Sequence, residues 1–390
     1  MALIPPSPGA NAPRSRSHNR HVILGQIQAA GPMGRAALAR STGLSTQAVS
    51  NIIADLETDG LLEPCGARTV GRGLPAMQYQ INPGGAYALG IEVRQTALVG
   101  ALLDLGGGVQ ATQRMSLTDT SPETILPLVK SLKQRLLASC PRATHKLLGA
   151  GLVMPGPFGA TGLSGASADL TGWTDMDVQG AFEATLDGPV FVQNDANAAA
   201  MAERLGGIAQ GLQNFAYLYF GAGLGLGLVA HGQLITGAFG NAGEMGQIPV
   251  MTPEGPSTLE ACASRNAVQS HLASAGLPGD EIEHLARHYA DGTPALLSWI
   301  DGAAAALSQV LPLLENLFDP ETILLGGAMP AEIVEAMVAR ITLPEISVAN
   351  RPDRLHPRLQ VGTCGRLTAT RGAAALVLSN ALSPQFSLSA

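Results

Sequence analysis

The chain has 390 residues and a formal net charge of −7, and its charged fraction of 14% is low for a globular protein. This length is enough for more than one domain. The sequence has no apolar run of transmembrane length and no apolar signal core, so we expect a soluble, cytoplasmic protein without a membrane partner. The four cysteines are widely spaced and form neither a CxxC pattern nor a disulfide framework, which predicts reduced thiols.

Charge is distributed unevenly along the sequence. The first 80 residues carry seven arginines against four acidic residues, a net charge of +3, so the remainder carries −10. A basic segment on an acidic body indicates that the segment binds an anion, and double-stranded DNA is the partner we expect. Residues 1–17 are rich in Pro, Ser, Ala and Arg without periodicity, and we expect them to form a disordered arm.

Residues 18–83 are predicted to form a winged helix-turn-helix domain. A first helix is expected from Asn19 to the Gly31-Pro32 pair, and a short second helix ends at Gly43. Ser45 is a good N-cap for a third helix. Helices with this spacing and a glycine in the turn are typical of a helix-turn-helix.

The third predicted helix has an apolar and a polar face. Its apolar positions are Val49, Ile52, Ile53 and Leu56. Small polar groups on the other face can reach base edges or phosphates. Together with the N-cap, they form a predicted DNA-binding set of Ser45, Thr46, Gln47, Ser50 and Asn51. The alternative is an amphipathic helix of a small bundle, which the basic excess and the following wing oppose.

The wing is predicted from two short strands, 61–63 and 77–81, that flank a loop containing glycine and arginine. Arg68 and Arg72 in this loop are placed to contact phosphate or the minor groove, and they complete the predicted DNA-binding residues. The rest of the chain, residues 84–390, is predicted to form a second domain.

The stretch from Phe220 to Gln247 begins with glycines at alternating positions and ends in Gly-Glu-Met-Gly-Gln. Glycines in a strand pair indicate that the backbone approaches another group closely. Upstream, a buried strand leads into Asn194-Asp195 and an alanine-rich helix. An Asp at the carboxyl end of a strand, facing a glycine-rich loop, is a common small-molecule site. Asn194 and Asp195 could instead cap the helix, and the two roles are compatible.

These two blocks resemble the ROK family (repressors, open reading frames and sugar kinases). The resemblance rests on the Asn-Asp-x-Asn-x-x-Ala-x-x-Glu block at 194–203, the glycine-rich hairpin and the Gly-Glu-x-Gly signature at 243–246, and it extends from about His18 to the C-terminus. It implies an α/β fold in which the winged helix-turn-helix precedes a two-lobed, actin-like ATPase domain of the ROK sugar kinase type. Sugar kinases of the family generally lack a DNA-binding domain, so the repressor branch is implied.

The resemblance also implies a site for a sugar or sugar-phosphate effector. In the family's kinases the Asp that matches Asp195 is the general base, and here it would accept hydrogen bonds from sugar hydroxyls. The implied effector contacts are Gly156, Asn194, Asp195, Glu244, Gln247 and Glu260. Gln247 stands where members usually have a zinc-binding His, and the three cysteines of the family's zinc loop are absent. We therefore predict no metal and no other cofactor.

The phosphate loop departs from the kinase pattern. The family's kinases have Asp-x-Gly-Gly-Thr where this chain has Glu92-Val93-Arg94-Gln95-Thr96, and the side chains of Arg94 and Gln95 would occupy the phosphate path. We expect a regulator and not an enzyme: a repressor of carbohydrate-metabolism genes that binds operator DNA as a homodimer or a dimer of dimers. The alternatives are an ATP-dependent sugar kinase with a DNA-binding head, and a regulator controlled by a protein partner.

Overall fold

The computed structural model describes residues 12–68, 75–154, 172–173 and 176–382. Within these ranges a small N-terminal domain is followed by a body with two five-stranded sheets, each covered by helices. The predicted order of a winged helix and a two-lobed α/β body is confirmed.

The N-terminal domain packs helices against a small antiparallel sheet. Its elements are α1 (Ala12–Ala30), β1 (Met33–Gly34), α2 (Arg35–Thr42), α3 (Thr46–Thr58), β2 (Leu62–Arg68) and β3 (Ala76–Ile81). The strand order is β1-β3-β2, and the wing strands β2 and β3 pair with a bulge between Pro64 and Ala67. The strand β1 escapes sequence analysis because two residues carry no alternating pattern.

The first helix begins earlier than the sequence indicates. Residues 12–17 of the expected disordered arm belong to α1, while residues 1–11 lie outside the described ranges. Two arginines of this helix form ion pairs with residues 39 positions later in the sequence: Arg16 pairs with Asp55, and Arg20 pairs with Asp59. Such long-range ion pairs leave no local signal in the sequence, so composition alone misplaces the start of the helix.

The first lobe of the body contains the sheet that begins the actin-like fold. Its elements are β4 (Tyr87–Val93), β5 (Ala97–Asp104), β6 (Val109–Ser116), α4 (Pro122–Ser139), β7 (Leu147–Val153), α5 (Val178–Leu186), β8 (Val190–Gln193) and α6 (Asp195–Gly206). The strand order is β6-β5-β4-β7-β8, with β4 antiparallel to β5 and parallel to β7. The carboxyl ends of β4, β7 and β8 therefore meet at one edge, where α6 begins.

The second lobe repeats a five-stranded sheet in the order β11-β10-β9-β14-β15. The elements of this part are β9 (Phe215–Phe220), β10 (Leu224–Ala230), β11 (Gln233–Leu234), β12 (Pro249–Thr252), β13 (Gly255–Thr258), α7 (Leu259–Ala263), α8 (Arg265–Ser274), α9 (Ile282–Ala290), α10 (Pro294–Phe318), β14 (Thr322–Gly327), α11 (Ala331–Val338), β15 (Leu359–Val361) and α12 (Thr368–Leu382). The last helix returns to pack on the first lobe.

The helix α10 is long and apolar enough to cross a membrane by length and composition. Its inward side chains, among them Ile300, Leu307 and Leu311, are fully buried in the core of the second lobe. A core helix of this length has the same composition as a membrane span, so the burial of these side chains explains the apolar sequence without a membrane.

The small residues of α12 allow the helix to approach its neighbours closely. A Cβ on Gly372 would lie 1.7 Å from the carbonyl oxygen of Ala198 in α6, and a Cβ on Gly90 would lie 1.9 Å from that of Thr370. These contacts join the sheet of the first lobe, α6 and α12 through their backbones. The junction therefore has no room for a methyl group.

Replacing Gly372 with alanine is expected to destabilise the protein by about 3 kcal/mol, since the added methyl group overlaps backbone that cannot rotate away. Gly302 is the matched control, because it is also helical but meets nothing within 4 Å of an added Cβ. Gly302→Ala is expected to stabilise by up to about 1 kcal/mol through helix propensity. Urea unfolding of both variants measures the difference, and equal midpoints would contradict the close packing.

The hydrophobic core of the N-terminal domain continues into the body. The side chains that join the two parts come from α1 and from the ends of α6 and α12, and they are Ile23, Leu24, Ile27, Met201, Leu205, Ala375 and Leu378. Most of these side chains are fully buried. Because apolar burial resists separation, α1 is packed on the body and is not a free tether.

Candidate effector and DNA-binding sites

The glycine-rich hairpin lies against two carboxylates. In it β9 and β10 pair antiparallel, with Phe220 opposite Leu224. A Cβ on Gly221 would lie 2.8 Å from Oδ2 of Asp195, and a Cβ on Gly223 would lie 2.4 Å from Oε2 of Glu260. The predicted close approach of this backbone to another group is confirmed, and the groups it approaches are acidic side chains.

Asn194 and Asp195 form the start of α6. Oδ1 of Asn194 accepts a hydrogen bond from the backbone N–H of Asn197 at 2.8 Å, and Oδ1 of Asp195 accepts one from Ala196 at 2.8 Å. The capping role is therefore confirmed for these two oxygens. Oδ2 of Asp195 faces the hairpin at Gly221, and both side chains are half-buried, so the cap leaves one oxygen of Asp195 directed toward the cleft.

Negative charge accumulates around Asp195. Burial, followed by the carboxylate of Glu92 and more weakly that of Glu244, raises the pKa of Asp195 to about 7. Burial and the neighbouring Glu260 also raise the pKa of Glu244. Three predicted effector contacts, Asp195, Glu244 and Glu260, are thus brought together, and Glu92 joins them. A group of carboxylate oxygens suits a ligand rich in hydroxyl donors.

The raised pKa of Asp195 makes a prediction about stability. A carboxyl group with a folded-state pKa near 7 and an unfolded-state pKa near 4 binds more protons in the folded state, so stability falls as the pH rises between these values. Asp195→Asn removes this penalty. We expect the variant to have a higher thermal midpoint than the wild type at pH 8, with the difference vanishing toward pH 4. A difference that does not depend on pH would contradict a raised pKa.

Arg94, which the resemblance aligns with a glycine of the family's kinases, is bound to the first lobe. Its Nε and Nη2 donate to the two carboxylate oxygens of Glu92 at 2.7 and 2.9 Å, and Nη2 also donates to the carbonyl of Arg366 at 3.4 Å. The hydroxyl of Thr370 donates to Glu92 as well. Burial is the largest single influence and lowers the pKa of Arg94, but the hydrogen bond to Glu92 and the negative charge around Arg94 together outweigh burial, so the pKa is raised. The guanidinium therefore has an internal partner.

Of the remaining predicted effector residues, one supports the hairpin, one is exposed and one lies outside the described ranges. Oε2 of Glu260 accepts a hydrogen bond from the N–H of Leu224 at 3.0 Å, so this side chain also supports the hairpin. Gln247 is exposed on the short 3₁₀-helix Met245–Gln247, where its N–H donates to the carbonyl of Glu244 at 3.2 Å. Gly156 lies outside the described ranges.

Two residues of the site have no signal in the sequence. Tyr219 is buried beside this cluster, and burial together with Glu92 and Asp195 raises its pKa well above its usual range. Arg265 donates its N–H to the carbonyl of Gly221 at 3.3 Å, and burial followed by the charge of Arg94 lowers its pKa. Tyr219 sits in an ordinary buried strand and Arg265 begins an ordinary helix, so neither stands out in the sequence.

The polar face of α3 is exposed as predicted. Ser45 is the N-cap, with its hydroxyl accepting a hydrogen bond from the N–H of Ala48 at 3.2 Å, and all four residues of the apolar stripe are buried. Thr46, Gln47 and Asn51 are exposed, and Ser50 is half-buried. Nε2 of Gln47 donates to Oδ1 of Asn51 at 2.9 Å. The helix thus presents two paired amides, although DNA contact by these residues stays a prediction.

Only one of the two predicted wing arginines lies within the described ranges. Arg68 ends β2 opposite Ala76, whereas Arg72 falls outside the described ranges. All four cysteines are free, as predicted. Among the described residues no group of three or more His, Cys, Asp or Glu side chains could hold a metal ion, and the absence of zinc stays a prediction.

The fold defines a class of protein: a winged helix joined to a two-lobed, actin-like body. The chain belongs to the ROK family, whose model matches residues 88–380, and residues 16–73 match the MarR family. The xylose repressor of Bacillus subtilis (strain 168) is 27% identical over 232 residues, which are 60% of this chain and 60% of that protein.

Two solved structures share the fold. The first is a ROK family transcriptional regulator described as a homologue of the E. coli MLC protein; it is 23% identical with a TM-score of 0.72, over 95% of this chain and 98% of that one. The second is the ROK hexokinase of Thermus thermophilus, which is 25% identical with a TM-score of 0.58, over 74% of this chain and 97% of that one. The regulator's match includes the N-terminal domain as well as the body.

Proposed function

We propose that the protein is a sugar-responsive transcriptional repressor of carbohydrate-metabolism genes. The observation that carries this proposal is the joining of two sites in one packed unit. The helix α3 exposes paired amides at one end of the protein, and carboxylates converge at the edge of the sheet where α6 begins. From that edge α6 runs to the N-terminal domain. The similarity to the xylose repressor of Bacillus subtilis supports the same function.

The chemistry of the cleft supports a ligand with several hydroxyl groups. Asp195, Glu244 and Glu260 offer acceptor oxygens beside the glycine-rich hairpin. The amide of Asn194 keeps its NH₂ group as a donor after its oxygen caps α6. A sugar or sugar phosphate supplies the complementary donors and acceptors.

DNA binding in this proposal requires two copies of the chain. Helix-turn-helix dimers read two half-sites that lie one helical turn, or a multiple of it, apart. Two DNA-binding domains held at a fixed separation therefore read an operator with two-fold symmetry. We propose a homodimer or a dimer of dimers that acts in the cytoplasm. The effector would change the separation of the two DNA-binding domains. A coupling free energy of about 1–3 kcal/mol between effector binding and DNA binding is enough for a switch.

A sugar kinase with a DNA-binding head is the second candidate, favoured by the similarity to the Thermus thermophilus hexokinase and by the position of Asp195. The engagement of Arg94 with Glu92 opposes it, because the guanidinium fills the turn that would hold phosphates. A third candidate, control by a protein partner, predicts an intact cleft that binds no sugar.

Calorimetry with ATP and magnesium separates the first two candidates. We expect no ATP binding by the wild type, and we expect binding to be absent also when a sugar is present. The double variant Arg94→Gly and Gln95→Gly restores the two glycines of the kinase phosphate loop. It is the comparison protein in which a gain of ATP binding is looked for. Phosphate transfer from ATP to any sugar by the wild-type chain would overturn the repressor proposal in favour of the kinase.

A further inference from the structure

A cavity of about 50 Å³ lies where the N-terminal domain meets the body. Its walls come from α1, from the C-terminal end of α6, from the segment 210–213 and from α12. The polar side chains that line it are Gln28, Arg204, Gln210, Gln213 and Ser379. A cavity needs only about 10–15 Å³ to admit one water molecule, so this one has room for a group of several heavy atoms.

Arg204 is a cation without a partner in this cavity. Its Nε is buried and forms no hydrogen bond, and burial alone lowers its pKa, which means that no charged group in the described ranges offsets it. Its position in the last turn of α6 makes a positive charge favourable there but supplies no acceptor for Nε. A buried Nε–H without an acceptor is costly, so the site is incomplete as it stands.

One edge of the Arg204 guanidinium packs against a tight turn, while the residue as a whole is half-buried. A Cβ on Gly232 would lie 2.5 Å from Nη2 of Arg204 and 3.1 Å from Oε1 of Gln213. Gly232 has a φ of +72°, which favours glycine and fixes the turn that packs on Arg204. Arg204 itself lines the cavity, and its planar fork matches the two oxygens of a carboxylate or phosphate.

We propose that this cavity is a binding site for an oxyanion, either a free phosphate or a carboxylate or phosphate group carried by a small metabolite. Arg204 supplies the charge, and the amides of Gln28 and Gln213 and the hydroxyl of Ser379 supply neutral hydrogen bonds. This site is separate from the sugar cleft, because Asp195 and Arg204 stand nine residues apart on α6, a rise of about 14 Å.

Occupation of this cavity has a structural consequence. The anion would contact α1 of the N-terminal domain and α6 and α12 of the body at the same time, which ties the DNA-binding domain to the body. An oxyanion is therefore a second ligand that controls the position of the DNA-binding domain. It binds at the C-terminal end of α6, whereas the sugar binds at the N-terminal end.

Calorimetry of the full chain with inorganic phosphate and with acetate, in a buffer without other oxyanions, tests the site. We expect at least one of them to bind the wild type, with binding at least about tenfold weaker in Arg204→Met. Arg287→Met, which removes an exposed arginine from α9, is the matched control and should bind as the wild type does. Binding of phosphate alone indicates a phosphate group as the natural ligand, and binding of acetate alone indicates a carboxylate.

Hydrogen exchange supplies an independent measurement. The bound anion should slow amide exchange in α1 and in residues 210–213 of the wild type and of Arg287→Met, but not of Arg204→Met. In anion-free buffer Arg204→Met should have a thermal midpoint equal to or above that of the wild type, so loss of binding cannot be attributed to unfolding. No binding of either anion to the wild type, or equal binding to Arg204→Met, would overturn the proposal.

Discussion

Replacing Asp195 with asparagine is expected to weaken sugar binding by about 10- to 100-fold at pH 8. The reason is that Oδ2 faces the glycine hairpin and its charged acceptor becomes a neutral amide, and hydrogen bonds to charged groups contribute about 1.5–3 kcal/mol. The higher pH matters because burial and Glu92 raise the pKa of Asp195 to about 7, so the carboxylate is fully ionised only above that value.

A thermal-shift panel of free sugars and sugar phosphates measures this effect, since a ligand that binds only the folded state raises its stability by about 2.7 kcal/mol at a hundred times its dissociation constant. Asp291→Asn, at the exposed C-cap of α9, is the control for a change of charge and should respond as the wild type does. A sugar that stabilises Asp195→Asn as much as the wild type would place the effector outside this cleft.

The double variant Gln47→Ala and Asn51→Ala is expected to lose sequence-specific DNA binding. Both amides are exposed on α3 and already orient each other through a hydrogen bond, and an amide that pairs with adenine contributes about 1–3 kcal/mol of discrimination. Loss of two such contacts corresponds to a drop in specificity of about 30-fold or more. Non-specific binding, which rests on contacts to phosphate, should change little.

The control for this variant is Gln179→Ala in α5. Gln179 is an exposed helical glutamine that also bonds a side chain one turn later, Glu183 at 3.0 Å, but it lies on the body. Fluorescence anisotropy with the selected operator and with a scrambled duplex of equal length gives the specificity ratio for each protein. An unchanged ratio in the double variant would mean that another surface reads the bases.

The elements that the sequence predicts well are those whose signal is local. Alternating glycines indicate the hairpin, apolar spacing defines α3, and Ser45 marks a helix start that the structure confirms. The start of α1 is not predictable in this way, because it depends on ion pairs with residues 39 positions later.

The site could be predicted only in part, because a sequence motif gives the spacing of residues but not the direction of their side chains. Asp195, Glu244 and Glu260 belong to motifs with fixed spacing, and the fold brings them together. The pairing of Arg94 with Glu92 could not be inferred, because the sequence shows that a glycine is replaced but not where the new side chain turns. The unpaired Arg204 is likewise an ordinary arginine at the end of a helix until three other segments enclose it.

Effector-dependent operator binding is the most direct measurement of the proposed function. Binding sites are first selected from a random double-stranded DNA library, and the affinity of the selected site is then measured with and without the sugar identified by the thermal-shift panel. A sugar-responsive repressor should select a sequence with two-fold symmetry, and the sugar should change its affinity by about 5- to 150-fold in the wild type but not in Asp195→Asn. Selection of no sequence, or an affinity that no sugar changes, would contradict a sugar-responsive repressor.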